Sequence, residues 1–194
     1  MKNWILGCLA VLLSFSAAAE GKDSTETIQW MTIEEAYAQA MQDSTPKRIF
    51  IDVYTDWCGW CKTMDKNTFN NPEVAAYMNA NFYNVKFNAE QKDSVNILGQ
   101  TFKYVENGRR GYHELAAALL QNKMSYPTVV FLNGKFEMIA PVPGYQKPEE
   151  FLLIAEFIGS GIYLEKSWEV YLQEKKAEKV KEVAPAATAT TPAS

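Results

Sequence analysis

Residues 48–62 read Arg48-Ile49-Phe50-Ile51-Asp52-Val53-Tyr54-Thr55-Asp56-Trp57-Cys58-Gly59-Trp60-Cys61-Lys62. From Arg48 to Tyr54 the run is β-branched and aromatic with one carboxylate, and such near-continuous hydrophobicity predicts a central strand buried on both faces. Two cysteines at i and i+3 follow at once and open a helix expected to continue through Phe69. A sulfur at that point lies among the unpaired N–H groups and the positive dipole of a helix start, which favours thiolate over thiol. Cys58 is therefore the expected nucleophile. Cys61, one turn further in, is placed to resolve a mixed disulfide formed on Cys58.

Working outward, Thr32 and Glu35 stand at capping-box spacing before a helix running to Asp43, with Ile33, Ala36, Tyr37 and Ala40 on one face. Asn71-Pro72-Glu73 marks a second helix start, and Phe82 to Phe87 alternates into a second strand. Asp93 to Tyr104 reads as helix, Glu106 to Gly111 as a turn-rich loop, and Tyr112 to Gln121 as helix again. Thr128 to Leu132 is a strand that turns at Asn133-Gly134 into an antiparallel return from Lys135 to Ile139, and Gly144 ends the meander. Pro148 opens a helix through Ile158, followed by an amphipathic segment from Tyr163 to Glu178. This order implies an α/β fold, a mixed sheet with helices on both faces.

The 194 residues are 47% apolar and carry a formal charge of −4, enough for one buried core with extra length. Lys2, the apolar run Trp4 to Phe15 and Ala17-Ala18-Ala19 compose a secretory signal peptide over residues 1–19, cut after Ala19. That run is shorter than the ~20 residues of a spanning helix, so no stable membrane insertion is expected after cleavage. Ile5-Leu6-Gly7-Cys8 resembles a lipobox only faintly, because most of the apolar region follows Cys8. Without Lys2 the charge becomes −4 minus 1, or −5, and no basic stripe is present of the kind a nucleic-acid partner requires. The mature chain then keeps two cysteines, too few and too close for a structural framework. A Thr191-Pro192-Ala193-Ser194 end lacks a retrieval signal, so a periplasmic or secreted location fits better than the endoplasmic reticulum. The expected organisation is a linker over 20–30, a domain over 31–162, a C-terminal helix over 163–182 and a disordered tail over 183–194.

The motif resembles the active site of the thioredoxin family: Asp52 six residues before the first cysteine, Trp57 before it, Gly59 after it and Lys62 after the second. Ser125-Tyr126-Pro127-Thr128, followed by Val129-Val130-Phe131, resembles that family's cis-proline loop and next strand. The likeness covers about residues 45 to 160 and is nearest to exported domains with Trp-Cys-x-x-Cys-Lys. It implies a thioredoxin fold, from which this chain departs by Trp60 where thioredoxin has proline, by a helical insertion around Gly99 to Gly111 and by an extra C-terminal helix and tail. It also implies a redox-active Cys58–Cys61 disulfide, a general base at Asp52 and a peptide-docking edge at Tyr126 and a cis Pro127. Trp57, Gly59 and Trp60 would line the substrate surface, and no cofactor would be required. Asp52, expected without a partner in a strand core, should have a raised pKa from burial.

A helix terminus is worth at most ~2 kcal/mol, which lowers a cysteine from ~8.5 to near ~7. Gly59 and Trp60 add no charge between the sulfurs. The expected activity is therefore reduction or modest exchange of disulfides in exported proteins, supplied by an unidentified, membrane-linked electron donor. The other readings are a disulfide oxidant or isomerase, a redox-inert binding module of the same fold, and a metal carrier; the last is disfavoured because zinc wants four ligands and the chain has one histidine. That residue, His113, is read as solvated or capping. Arg109 and Arg110, between glycines, are read as a solvated loop with a grip on an acidic partner as the sharper alternative.

Overall fold

The computed structural model describes residues 27–183; the expected signal peptide and the tail from residue 184 on lie outside the described residues. A five-stranded mixed sheet organises the chain in the order β1-β3-β2-β8-β9. β2, Arg48–Tyr54, holds the centre. It pairs in parallel with β3, Phe82–Asn88, with Asp52 opposite Lys86, and antiparallel with β8, Thr128–Leu132, with Asp52 opposite Val129. β1, Trp30–Met31, lies parallel on the outer edge of β3, and β9, Met138–Pro143, antiparallel on β8.

Strand alternation divides the core in two. Ile49, Ile51 and Val53 join Val85, Val130 and Leu132 on the face covered by α1, Ile33–Gln42, and α4, Glu114–Leu119. Phe50 joins Phe82, Val129 and Phe131 on the other face, against α3, Pro72–Asn81, and α5, Pro148–Gly159. The local starts follow the chemistry of their residues. Thr32 and Glu35 form the reciprocal capping box of α1, and Asn71 Oδ1 accepts the Glu73 and Val74 N–H groups ahead of Pro72.

Three expectations are corrected between residues 89 and 138. Residues 93–104 are not helical: β4, Val95–Ile97, and β5, Gln100–Phe102, form an antiparallel hairpin. Val95 and Ile97 are buried while Asn96 is exposed, a period of two, and Leu98 (φ 55°) and Gly99 (φ 71°) turn the chain in the left-handed region. Next, β6, Tyr104–Val105, pairs with β7, Tyr112–His113, so α4 starts only at Glu114. His113 is its N-cap, as the capping alternative had it, and is fully buried. The loop after β8 is longer than a two-residue turn. Asn133 binds Glu137 through main chain and side chain, and the return strand begins at Met138. Beyond α5, a 3-10 turn at Ile162–Leu164 leads to α6, Trp168–Val183, which packs Trp168 and Tyr171 on Phe157 at 5.2 and 5.1 Å.

Candidate active site

β2 ends at Tyr54, and the Thr55 carbonyl accepts the Cys58 N–H at 3.1 Å. That turn delivers Cys58 to the N-cap of α2, Gly59–Met64, in extended backbone. The Cys61 N–H donates to Cys58 Sγ at 3.0 Å, so the sulfur occupies the place where a serine or aspartate oxygen satisfies a helix start. Cys58 and Cys61 are joined as a disulfide, with residue exposures of 4% and 3%.

Alternation puts Asp52 on the Phe50 face of β2, and it is 2% exposed. Contrary to expectation it has a partner. Lys86, its register neighbour on β3, places Nζ 3.5 Å from Asp52 Oδ2 and also pairs with Asp65. Asp65 opens a π-turn, Asp65–Phe69, whose wide closure is marked by the Asn70 N–H on the Asp65 carbonyl at 3.1 Å. Such turns recur at functional sites. Burial pushes the Asp52 carboxyl up to about 7; Lys86 opposes that rise and the neighbouring Asp65 carboxylate adds to it. The Lys86 ammonium also lies over the rings of Trp30, at 5.0 Å, and Tyr54, at 5.3 Å.

Aromatic side chains ring the disulfide. Trp60 is 63% exposed and leans on Tyr145 at 5.6 Å. Trp57 is 50% exposed, donates its Nε1–H to Glu90 Oε1 at 2.9 Å and meets the Tyr126 ring edge-on at 5.9 Å. Gly59 borders open space. The Tyr126–Pro127 peptide bond is cis. Pro127 precedes Thr128, which is in register with Val53, and its carbonyl accepts the Gly144 N–H at 2.8 Å. Burial, reinforced by Glu90, pushes the Tyr126 hydroxyl up to about 12, so it keeps its proton at neutral pH.

All eight residues singled out from the sequence therefore lie at one end of β2 or along it. The structure adds Lys86, Asp65, Glu90 and Tyr145, and it brings Arg110, read from the sequence as a loop residue, over Trp57. Lys86 carried a readable signal: it is the lone cation in the strand Phe82-Tyr83-Asn84-Val85-Lys86-Phe87-Asn88, as Asp52 is the lone anion in its neighbour. Among the described residues no group of three or more His, Cys, Asp or Glu side chains is gathered for a metal ion. No described helix is long and apolar enough to cross a membrane.

Comparison with known proteins agrees with this geometry. The chain is 27% identical over 155 residues to the thiol:disulfide interchange protein DsbD of Escherichia coli strain K12, a match covering 78% of this chain and 22% of that protein. It is 32% identical over 79 residues to the uncharacterized protein B0495.5 of Caenorhabditis elegans, covering 41% of this chain and 11% of that one. The chain thus spans about a tenth to a fifth of the length of these relatives. Among solved structures, a thioredoxin-fold protein from Helicobacter pylori superposes with a TM-score of 0.52 at 22% identity, covering 77% of this chain and 96% of that one. A thioredoxin from Thermus thermophilus superposes with a TM-score of 0.51 at 21% identity, over 68% and 87%. The Thioredox_DsbH family model, described as a protein of unknown function, DUF255, matches residues 20–141. With a thioredoxin fold and a Cys58–Cys61 disulfide at the start of α2, the chain belongs to the Thioredox_DsbH family.

Proposed function

We propose that this chain is an exported reductant or modest exchanger that passes two electrons to disulfides in other exported proteins. The observation that carries the reading is Cys58 Sγ at the N-cap of α2, accepting the Cys61 N–H at 3.0 Å. In the dithiol form the Cys58 thiolate attacks one sulfur of a substrate disulfide. A Cys58–substrate bond forms, and the other substrate sulfur leaves as thiolate and takes up a proton. Cys61 then yields its proton to Asp52 and attacks Cys58 Sγ. The Cys58–Cys61 bond forms, the mixed disulfide breaks, and the second substrate sulfur departs. The substrate gains the two electrons that the dithiol loses. A carboxyl near 7 can accept and return that proton at neutral pH, with Lys86 holding it in place. Trp57, Gly59, Trp60, Tyr126 and Pro127 form the surface on which the substrate segment docks.

The direction follows from what surrounds the sulfurs. A helix start contributes at most ~2 kcal/mol to the thiolate. Gly59 and Trp60 carry no charge, and Lys86 is held by Asp52 and Asp65. Nothing here favours the dithiol strongly enough for a potent oxidant. The signal-peptide reading of residues 1–19 supports export, and the likeness to a thiol:disulfide interchange protein supports disulfide exchange; the electron donor in this reading is linked to the membrane. Equilibration of the Cys58–Cys61 pair with glutathione should return a potential near about −270 mV. A value of about −180 mV or higher would reverse the direction. Wild-type chain should also accelerate insulin reduction by dithiothreitol, with Cys58→Ala falling to the uncatalysed rate; no acceleration by the wild type would support a redox-inert module instead.

A further inference from the structure

The loop carrying Arg109 and Arg110 reaches the redox site. At the end of β2, the Tyr54 carbonyl accepts the Ala89 N–H at 2.8 Å, and the Ala89 carbonyl accepts the His113 N–H at 2.7 Å. β7 is thereby hung on the same strand ends from which the cysteine motif departs. Its pairing with β6 closes the loop 106–111 over that end. The loop is held in shape: the Gly111 N–H donates to the Tyr104 hydroxyl at 2.9 Å, and a Cβ at Gly111 would come within 2.3 Å of that ring and 2.2 Å of the Val105 carbonyl. Gly111 lets the two strands close this tightly.

The outcome is Arg110 with its guanidinium carbon 4.5 Å from the centroid of the Trp57 ring, beside Cys58. A stacked guanidinium spends its face on the indole and keeps its edge N–H donors. Among the described residues no carboxylate lies within 4.0 Å of it. Glu90, the acid that shares Trp57, takes the indole N–H instead, and Asp56 accepts from Asn88 Nδ2 at 3.3 Å. A cation pre-positioned at the rim of a reactive disulfide, with no described carboxylate paired to it, is complementary to a carboxylate arriving with the substrate.

We propose that Arg110 is a specificity-determining residue: it binds an Asp or Glu side chain flanking the substrate cysteine, so that acidic disulfide segments are reduced faster than basic ones. This rests on the reductant reading, because the partner is a disulfide-bearing chain docked beside Trp57.

The test uses the reduced full chain and two disulfide peptides, identical except for glutamate or lysine next to the cysteine. Wild type should reduce the glutamate peptide with about tenfold higher kcat/KM, the worth of one charge-assisted contact. In Arg110→Gln the ratio should fall to about one, and in wild type it should shrink as salt rises. A wild-type ratio of one overturns the proposal and leaves the reductant reading standing. A ratio that persists in Arg110→Gln also overturns it, since another charge such as Lys62 would then be the reader. If neither peptide is reduced, the reductant reading fails and the proposal falls with it.

Discussion

Phe50 and Ile51 are neighbours on β2 that point into different surroundings. Phe50 meets the rings of Trp30, Phe69, Phe131 and Phe151 at 5.4 to 5.9 Å, and the same face holds the Asp52–Lys86–Asp65 cluster under the cysteine helix. Ile51 shares a buried cluster with Val53, Val85, Val130, Leu119 and Leu120, the aliphatic face that β4 and α4 also enter. The proton-handling groups thus belong to the aromatic face, where lysine can lie over Trp30 and Tyr54 without losing all its stabilisation. The aliphatic face carries β4 to β7 and, at their tip, Arg110. Chemistry and proposed recognition are built from opposite sides of one strand.

The largest effect that could break this contrast is on stability. Phe50→Ala removes four ring contacts in a zero-exposure site and should cost roughly 4 kcal/mol, against roughly 3 kcal/mol for Ile51→Ala, whose neighbours can close around a smaller void. Urea melts of both variants decide the matter. A larger loss for Ile51→Ala would mean the aliphatic face is the more tightly specified one.

Asp52→Asn tests the charged cluster. The folded Asp52 carboxyl keeps its proton up to about 7, whereas the unfolded one loses it near 3.8. Its contribution is therefore full below pH 3.8 and is lost as pH rises through 7, a change of up to about 4 kcal/mol at ~1.36 kcal/mol per pH unit. The uncharged variant should be more stable than wild type at pH 8, with the gain vanishing by pH 4. Lys86 keeps Asp65 as its partner, so the substitution strands no buried cation. The same variant should slow the second, resolving step and flatten its pH dependence near 7. Equal stability of the two proteins at pH 8 would show that Lys86 already compensates the buried charge.

How much of this was legible in the sequence depends on the range of the cause. Arg48–Tyr54 could be read to its ends, since an apolar run with one carboxylate has no place but the sheet centre. Asn71 with Pro72, and Thr32 with Glu35, are local devices and formed as read. Asp52 was expected unpaired because its partner depends on the register of β2 on β3, set by residues more than thirty positions apart. Val95-Asn96-Ile97-Leu98-Gly99 was read as helix because a short apolar pattern fits both periods, and the turn at Gly99 decides only once Val95 and Ile97 have a core to enter. Arg110 stands out locally as a cation between glycines, but its place over Trp57 exists only after two distant strand ends meet.

The smallest effect concerns how β7 and α4 are fastened to the aliphatic face. His113 Nδ1 accepts the Leu115 N–H at 3.2 Å, so Nε2 carries the proton toward the Asp93 carbonyl at 3.1 Å, and the ring stands edge-on to Phe87 at 5.3 Å. The Leu115 bond requires the neutral imidazole, whereas the bond to the Asp93 carbonyl is kept in either protonation state. Burial pushes its pKa below 6.5, while the Asp93 carbonyl and the Glu114 and Glu34 carboxylates oppose that fall. The unfolded chain therefore binds the extra proton first as pH drops, and the stability His113 supplies above 6.5 is lost through the depressed folded value. Asparagine caps a helix through the same acceptor and does not titrate, so His113→Asn isolates the term. The Tm advantage of wild type over this variant should narrow steadily from pH 7 to pH 5, Asp52 contributing equally to both. A gap that stays constant would mean that β7 and α4 are held by their main-chain bonds to Ala89 and Lys103 alone, and that the histidine is only filling space.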